Sequence, residues 1–155
     1  MQSALLLFVL LWICRSQNVC KNVCTPGSET CAVDSFVGDM VIYEDRKVRI
    51  WVFKLAPGEM TSMHRHDCDY HFVAITPTQL EVWSERGERL FDFRAEGILG
   101  FEIQGDELVQ IPPFGAGVDP PASFQPIRVP RIHAARNIGN DTYHEFLFES
   151  LQGCV

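Results

Sequence analysis

The segment PGEMTSMHRHDCDYHF, residues 57–72, holds three of the five histidines of this 155-residue chain. His64 and His66 are two residues apart, and residues at that spacing project from the same face of a β-strand. A turn at DCD would let the chain return in a paired strand, YHFVAIT, with His71 facing inward beside the first two histidines and Tyr70 facing the opposite way. The segment therefore predicts a hairpin that aims three imidazoles at one metal ion.

A fourth imidazole can come from VPRIHAARNIGN, residues 129–140, where His133 begins another predicted strand. The predicted cofactor is one divalent transition metal, and iron, zinc, manganese and nickel remain alternatives because ligand spacing does not distinguish them. A metal-free barrel in which the histidines only pack or form hydrogen bonds is the competing interpretation. The remaining histidine, His144, is interpreted as a structural or surface residue, since an isolated histidine needs no ligand role.

The rest of the chain reads as short β-strands with alternating side chains. Segments such as KVRIWVFKLAPG, QLEVWSE, ERLFDFR and LGFEIQG are rich in Val, Ile, Phe and Trp and are separated by Gly, Pro, Asp or Asn. Many short strands at near-regular spacing indicate one antiparallel sandwich or barrel, so the predicted fold class is all-β. The proline-rich stretch at residues 111–126 cannot be a central strand and predicts a long loop, which is either a lid or an inert connection.

Two segments resemble the motifs of the cupin superfamily. GEMTSMHRHDCDYH resembles the first motif, Gly-x5-His-x-His-x3–4-Glu, with Gly58, His64 and His66 in register, and PRIHAARN resembles the second, with His133 and Asn137 in register. The resemblance covers roughly residues 46–150. It implies a double-stranded β-helix, a small barrel whose mouth holds one divalent metal.

One departure from the cupin motif concerns the metal ligands. His71 stands where the family has glutamate, so the resemblance implies an all-nitrogen ligand set of His64, His66, His71 and His133. Replacing a carboxylate with imidazole leaves the metal more cationic and a stronger Lewis acid. Such a site is compatible with iron activating dioxygen and equally with another metal polarising a carbonyl.

Residues near His133 are candidates for binding a substrate. Arg131 lies two residues before it and could present a guanidinium to a substrate carboxylate, although a solvated surface charge is the alternative. Asn137 lies four residues after it and could orient a ligand or hold a turn. Glu81 could act as a general base if it were buried, but exposure is favoured. The sequence assigns no catalytic residue.

The residues favour a metal-dependent enzyme that acts on a small molecule, with an anionic one favoured. The enzyme is either a dioxygenase or a lyase or isomerase. The alternative is a non-catalytic module that binds a small ligand or a glycan and uses the metal for structure. A net charge of −7, with scattered basic residues, gives no footprint for nucleic acid. A homodimer through sheet faces or exposed edges is compatible with the sequence.

The amino terminus predicts secretion. Residues 1–16 resemble a signal peptide, because their apolar run is too short to span a bilayer and is followed by small residues, so no stable membrane insertion is expected. Residues 17–40 are predicted to form a disulfide-linked arm and residues 41–155 the barrel. Five cysteines would remain after cleavage, which allows two disulfides of open connectivity and one spare thiol; they are Cys20, Cys24, Cys31, Cys68 and Cys154.

Overall fold

A computed structural model describes residues 33–112 and 119–155. Within these ranges the chain forms nine strands and no helix, which confirms the predicted all-β class. The strands are β1 (Met40–Glu44), β2 (Val48–Leu55), β3 (His64–Arg65), β4 (Tyr70–Ser84), β5 (Arg89–Gln104), β6 (Glu107–Ile111), β7 (Arg128–Pro130), β8 (Ile132–Asn137) and β9 (Tyr143–Ser150). No helix in the described residues is long and apolar enough to cross a membrane.

The strands form a double-stranded β-helix, as predicted. Seven of them follow the order β1-β2-β9-β4-β5-β6-β7, while β8 pairs with both β3 and β4. Strand β4 belongs to both layers of the barrel, because residues 70–76 pair with β9 and residues 80–84 pair with β8. All pairings between the named strands are antiparallel.

Strands β4 and β5 are each longer than the sequence predicted. YHFVAIT and QLEVWSE were separate predicted strands, as were ERLFDFR and LGFEIQG, but each pair is continuous. The register between β4 and β5 shifts between Ala74 and Thr78, where Pro77 withholds a ladder donor, and Gly97 on the facing strand has a φ of 69°. The residues that predicted chain breaks therefore bend two long strands from one layer into the other.

The layers enclose an elongated apolar interior that contains a cavity of about 610 Å³. Both layers contribute to it, and its apolar lining includes Trp51, Phe53, Phe72, Leu80, Phe93 and Leu147. Side chains at the same interior also form the buried core, in which Leu55, Leu108 and Tyr143 are fully buried. The barrel is thus a packed core with room for one small molecule.

A disulfide closes one end of the barrel. Cys68 is bonded to Cys154, 86 residues away, and the Val155 N–H donates to the Asp67 carbonyl at 2.9 Å. Together these bonds attach the carboxyl-terminal residues to the segment that follows β3. The predicted signal peptide, the three cysteines of the arm and residues 113–118 of the proline-rich loop lie outside the described residues.

Residues 33–39, which the sequence analysis assigned to the arm, lie against the barrel. Asp34 forms a parallel bridge with His64, and its backbone exchanges hydrogen bonds with Met63 and Arg65 at 2.9 and 2.8 Å. Val37 is buried in the core. The described end of the arm therefore supports the short strand β3 on the side away from β8.

Candidate metal centre

Three of the four histidines proposed as metal ligands meet at one point between β3 and β8. His64 lies directly opposite His133 in the antiparallel register, and His66 follows two residues later on the same side. One ligand nitrogen from each ring lies within 4.8 Å of the others. The predicted hairpin between this segment and YHFVAIT is wrong, because β3 pairs with β8 and not with β4. The pairing of β3 with β8 brings the first and second sequence motifs into contact.

The three rings form a compact, buried cluster. Ring centroids lie 5.1 Å apart for His64 and His66, 4.7 Å for His64 and His133, and 5.2 Å for His66 and His133. Each of the three histidines is at most 8% exposed. A divalent metal accepts ligands from such a group because three nitrogens can approach one ion from one side.

Hydrogen bonds fix the tautomers of two rings. The Nδ1 of His64 lies 3.0 Å from the Ser62 carbonyl, and the Nδ1 of His133 lies 2.8 Å from the Pro130 carbonyl. Because a carbonyl can only accept, each Nδ1 carries the proton and the neutral ring keeps an unprotonated Nε2. Backbone carbonyls commonly orient metal-binding histidines in this way.

The electrostatic environment keeps these imidazoles neutral. Burial lowers the pKa of His64 and lowers the pKa of His133 to about 3. Burial also holds the pKa of His66 well below its usual value, and the other two rings and Arg131 act in the same direction. The Nδ1 of His66 is buried without a hydrogen-bond partner among the described residues. Neutral rings and an unsatisfied ring nitrogen both fit a transition-metal ligand set.

His71 does not join the cluster, and the predicted assignment of faces on β4 is wrong. The side chain of His71 is exposed, and its ring lies over Gly100, where a Cβ would come within 2.5 Å of it. Tyr70 points inward instead and stacks on His66 with ring centroids 4.4 Å apart. With three residues between histidine and glutamate in the cupin motif, Tyr70 occupies the glutamate position.

Arg131 lies beside the metal centre but outside the cavity. Its Nε donates to the His66 carbonyl at 2.9 Å, and its Nη2 contacts Asp67 at 3.0 Å. The His66 N–H in turn donates to the Arg131 carbonyl at 3.1 Å. The guanidinium predicted to meet a substrate carboxylate therefore holds the backbone of a candidate ligand.

Asn137 is fully buried and does not line the cavity. Its Nδ2 donates to the Leu55 and Asp141 carbonyls at 2.9 and 2.8 Å. Its Oδ1 accepts from Thr78 at 2.7 Å and from the Gly139 N–H at 2.9 Å. Both side-chain atoms are thus occupied, and of the two roles considered from the sequence the structure supports holding a turn.

Glu81 lies on the outer side of its strand. It accepts a hydrogen bond from the Trp83 Nε1 at 2.9 Å and forms an ion pair with Arg89 at 2.6 Å. It does not line the cavity, but its side chain is only 12% exposed, so the favoured prediction of an exposed Glu81 is wrong. His144 also stays apart from the cluster and packs near Phe146.

Glu145 is a functional candidate that the sequence analysis missed. It lies on β9, is 6% exposed, lines the cavity and accepts a hydrogen bond from the Tyr143 hydroxyl. Burial raises the pKa of Glu145 to about 7. Along TYHEFLFES, Tyr143, Glu145 and Leu147 alternate with His144, Phe146 and Phe148, so both faces carry apolar side chains and the pattern does not orient the strand. The buried Leu147, two residues from Glu145, was the available signal.

Comparison with known proteins finds partial and distant matches. The family model described as auxin binding protein matches residues 18–86. No curated protein matches the sequence. A solved cupin domain from Bordetella pertussis is 18% identical, with a TM-score of 0.42, covering 72% of this chain and 88% of that chain.

Two further solved structures are similar to this chain. A cupin superfamily protein from Desulfitobacterium hafniense is 15% identical, with a TM-score of 0.39, and the match covers 72% of this chain and 74% of that one. An RmlC-like cupin family protein with a double-stranded β-helix fold from Methanocaldococcus jannaschii is 17% identical, with a TM-score of 0.39, covering 79% and 82% respectively.

Proposed function

We propose that this chain, a cupin, is a secreted metal-dependent enzyme that binds one divalent transition metal through His64, His66 and His133. The observation that supports this most strongly is the convergence of three buried, neutral imidazoles beside a cavity of about 610 Å³. A bound metal would supply Lewis acidity or, as iron, the capacity to activate dioxygen. Iron, zinc, manganese and nickel are all compatible with nitrogen ligands, so the proposal leaves the metal open.

The cavity favours a small ligand with an apolar body and one anionic group. Aromatic and aliphatic side chains dominate its lining, which suits the burial of a ring or a short alkyl chain. Among the described residues, no Lys or Arg lines this cavity. A metal held by the three histidines would therefore be the cation that receives the anionic group. The partial match to an auxin binding protein family agrees with a small organic ligand.

Three protein ligands favour catalysis over a purely structural metal. Structural sites are usually closed by four protein ligands, whereas catalytic sites keep a position for water or substrate. His71, the proposed fourth ligand, lies on the outer face of β4. Tyr70 is stacked on His66, and the cavity beside the cluster has mainly apolar walls, which limit the access of water to a bound substrate.

A non-catalytic binding protein is the second candidate. It is supported by the predominance of apolar side chains in the cavity, because such a lining provides affinity but few groups for proton transfer. The two candidates share the metal and the ligand class. The enzyme converts the bound molecule to a product, whereas the binding protein releases it unchanged.

The Cys68–Cys154 bond supports secretion. Structural disulfides persist in oxidising compartments, and residues 1–16 have the pattern of a removed signal. Amino-terminal sequencing of the protein secreted from its own cells tests this part, and a first residue of Gln17 is expected. A mature protein that retains Met1 would contradict it.

The decisive experiment counts exchangeable water on the metal and then looks for product. Protein loaded with Mn²⁺ should enhance water-proton relaxation, and small aromatic carboxylates should suppress that enhancement by displacing the water. His71→Ala is the matched control and should behave as wild type. Conversion of a carboxylate or dicarbonyl by catalytic amounts of the iron, zinc, manganese or nickel protein, followed by mass spectrometry, supports the enzyme. Displacement without conversion by any of these metals supports the binding protein. The absence of exchangeable water contradicts the enzyme and favours a metal that serves structure alone.

A further inference from the structure

The cavity wall contains an acidic side chain that the metal centre does not use. In the strand pairing, Glu145 lies between Phe53 on β2 and Ala74 on β4, so its neighbours across the sheet are apolar. Its one hydrogen bond among the described residues comes from the Tyr143 hydroxyl to Oε2. The second carboxyl oxygen, Oε1, forms no hydrogen bond among the described residues, and it is not fully buried. Because Glu145 lines the cavity, this oxygen is available to a bound molecule.

The groups that face Glu145 do not neutralise it by ion pairing. Tyr143 on the same strand and Tyr70 on β4 are the titratable residues that interact with it. The pKa of each phenol is raised, chiefly by burial, so both remain uncharged in the physiological range. Burial likewise favours the uncharged form of Glu145, whose pKa is raised to about 7. A neutral carboxyl that accepts from Tyr143 through Oε2 can donate through Oε1.

We propose that Glu145 is a hydrogen-bonding anchor for the ligand, which is a small, mainly aromatic or alicyclic molecule with a carbonyl or similar acceptor in addition to its metal-binding group. This inference rests on the proposed function, because it concerns the same cavity. A neutral donor in an apolar wall favours a ligand acceptor, since an unpaired polar group in such surroundings is costly. An entirely apolar ligand would leave the carboxyl without that partner.

Specificity should follow from this arrangement. A hydrogen bond in a buried site discriminates strongly against an analogue that lacks the matching atom, because the protein group is then desolvated without compensation. The Tyr143 hydroxyl restrains the carboxyl by occupying Oε2. Glu145 thus forms a hydrogen bond with one polar atom of the ligand, while the surrounding aromatic rings pack against its apolar part.

The test uses two neutral ligands of matched shape, 2-acetylnaphthalene and 2-isopropylnaphthalene. Binding is followed by quenching of the fluorescence of Trp51, which lines the cavity. Both metal-loaded and chelator-treated protein are measured, because neither ligand needs the metal. The quantity compared is the affinity ratio of the acetyl to the isopropyl compound, so that their different hydrophobicities cancel between protein variants.

At about pH 5.5 the ratio should be roughly fivefold to tenfold higher in the wild type than in Glu145→Leu, which corresponds to one hydrogen bond. In the wild type it should fall as the pH rises through about 7, because a carboxylate cannot donate. Glu145→Gln should keep the preference at every pH, since its amide donates. Tyr143→Phe should move the midpoint of the fall to higher pH, because the Tyr143 hydroxyl stabilises the carboxylate. His71→Ala, on the outer face of β4, is the control and should keep the wild-type ratio.

Three results would overturn the inference. The affinity ratio could be equal in the wild type and Glu145→Leu, it could stay constant in the wild type as the pH changes, or neither naphthalene could bind. Failure of this inference and failure of the proposed metal centre are distinguishable. Metal binding without an acetyl preference contradicts the role of Glu145 alone. An acetyl preference in protein that binds no metal supports the anchor and contradicts the proposed metal centre.

Discussion

Two buried polar groups of the barrel, the Asn137 side chain and the cluster of three histidines, use their hydrogen-bonding capacity differently. Asn137 makes four hydrogen bonds to groups of the chain itself. In the cluster, His64 and His133 each use one nitrogen to bind a carbonyl, and His66 has an unsatisfied Nδ1. A complete set of partners indicates a structural role, whereas converging unused nitrogens indicate that the missing partner is a ligand.

The largest expected effect comes from removing one imidazole of the cluster. His64→Ala should abolish stoichiometric metal binding, because two remaining nitrogens cannot hold a divalent ion tightly, and should remove the increase in Tm that metal gives the wild type. Elemental analysis and thermal unfolding measure the two effects. His71→Ala is the matched control, since its ring lies on the outer face, and it should keep one ion per chain. Metal loss in the His71 variant would contradict the assignment of the site.

Asn137→Ala should reduce the free energy of unfolding by roughly 3 to 5 kcal/mol, since it leaves several buried groups without partners. One of them is the Thr78 hydroxyl, which packs so tightly that a Cβ on Gly139 would lie 2.1 Å from it. The exposed Asn140 gives the control, and its alanine variant should stay within about 0.5 kcal/mol of the wild type. Denaturant titration measures both. The folded Asn137 variant should still bind one metal ion, and a selective loss of metal would show that Asn137 acts on the site.

Glu145 should give a pH dependence of stability with a defined sign. Its pKa is about 7 in the folded protein against 4.5 as the ordinary value, so the folded state binds more protons between these pH values. Its stabilising contribution is therefore present below about pH 4.5 and is lost as the pH rises through about 7, by up to about 3 kcal/mol.

Glu145→Gln isolates that contribution. The buried neutral histidines make the folded protein more stable as the pH rises, which is the opposite sign. Both proteins contain these histidines, so their contribution cancels in the difference between the two free energies of unfolding. Unfolding of chelator-treated wild type and variant should show the variant gaining relative stability between pH 4.5 and pH 7. A pH-independent difference would mean that folding does not change the pKa of Glu145.

The smallest effect is expected at Arg131. Arg131→Lys keeps the charge but loses the geometry that joins the His66 carbonyl to Asp67, so metal affinity should fall by about tenfold. Arg65→Lys is the control, because Arg65 contacts the same Asp67 from an exposed position without binding His66. Competition with a chelator of known affinity measures both variants. Equal losses would show that only the surface charge network matters.

Turn residues and alternation are local signals, and they predicted the all-β class, whereas the cupin resemblance predicted the barrel. Each strand named from the pattern is present, but two pairs of strands run together at Pro77 and Gly97, and the predicted hairpin of β3 with β4 does not form. Single-residue signals cannot distinguish a chain break from a bend, since both need a missing donor or a positive φ. To distinguish a break from a bend, one must know which strand pairs with the residues on either side.

The candidate site was predicted in part for a similar reason. His64, His66 and His133 follow from spacing and strand pairing, whereas His71 and Tyr70 were assigned to the wrong faces. Both faces of β4 carry apolar side chains, so hydrophobicity alone does not orient it. Glu145 escaped detection because its strand buries an acid and leaves Phe146 half-buried.

Anomalous diffraction from crystals of the metal-loaded protein, collected on both sides of the metal absorption edge, tests the central claim most directly. The account predicts one strong peak per chain at about 2.0–2.2 Å from one ring nitrogen each of His64, His66 and His133. The second carboxyl oxygen of Glu145 and the ring of His71 should lie outside coordination distance. A peak at His71, or no peak between the three rings in metal-saturated crystals, would contradict the account.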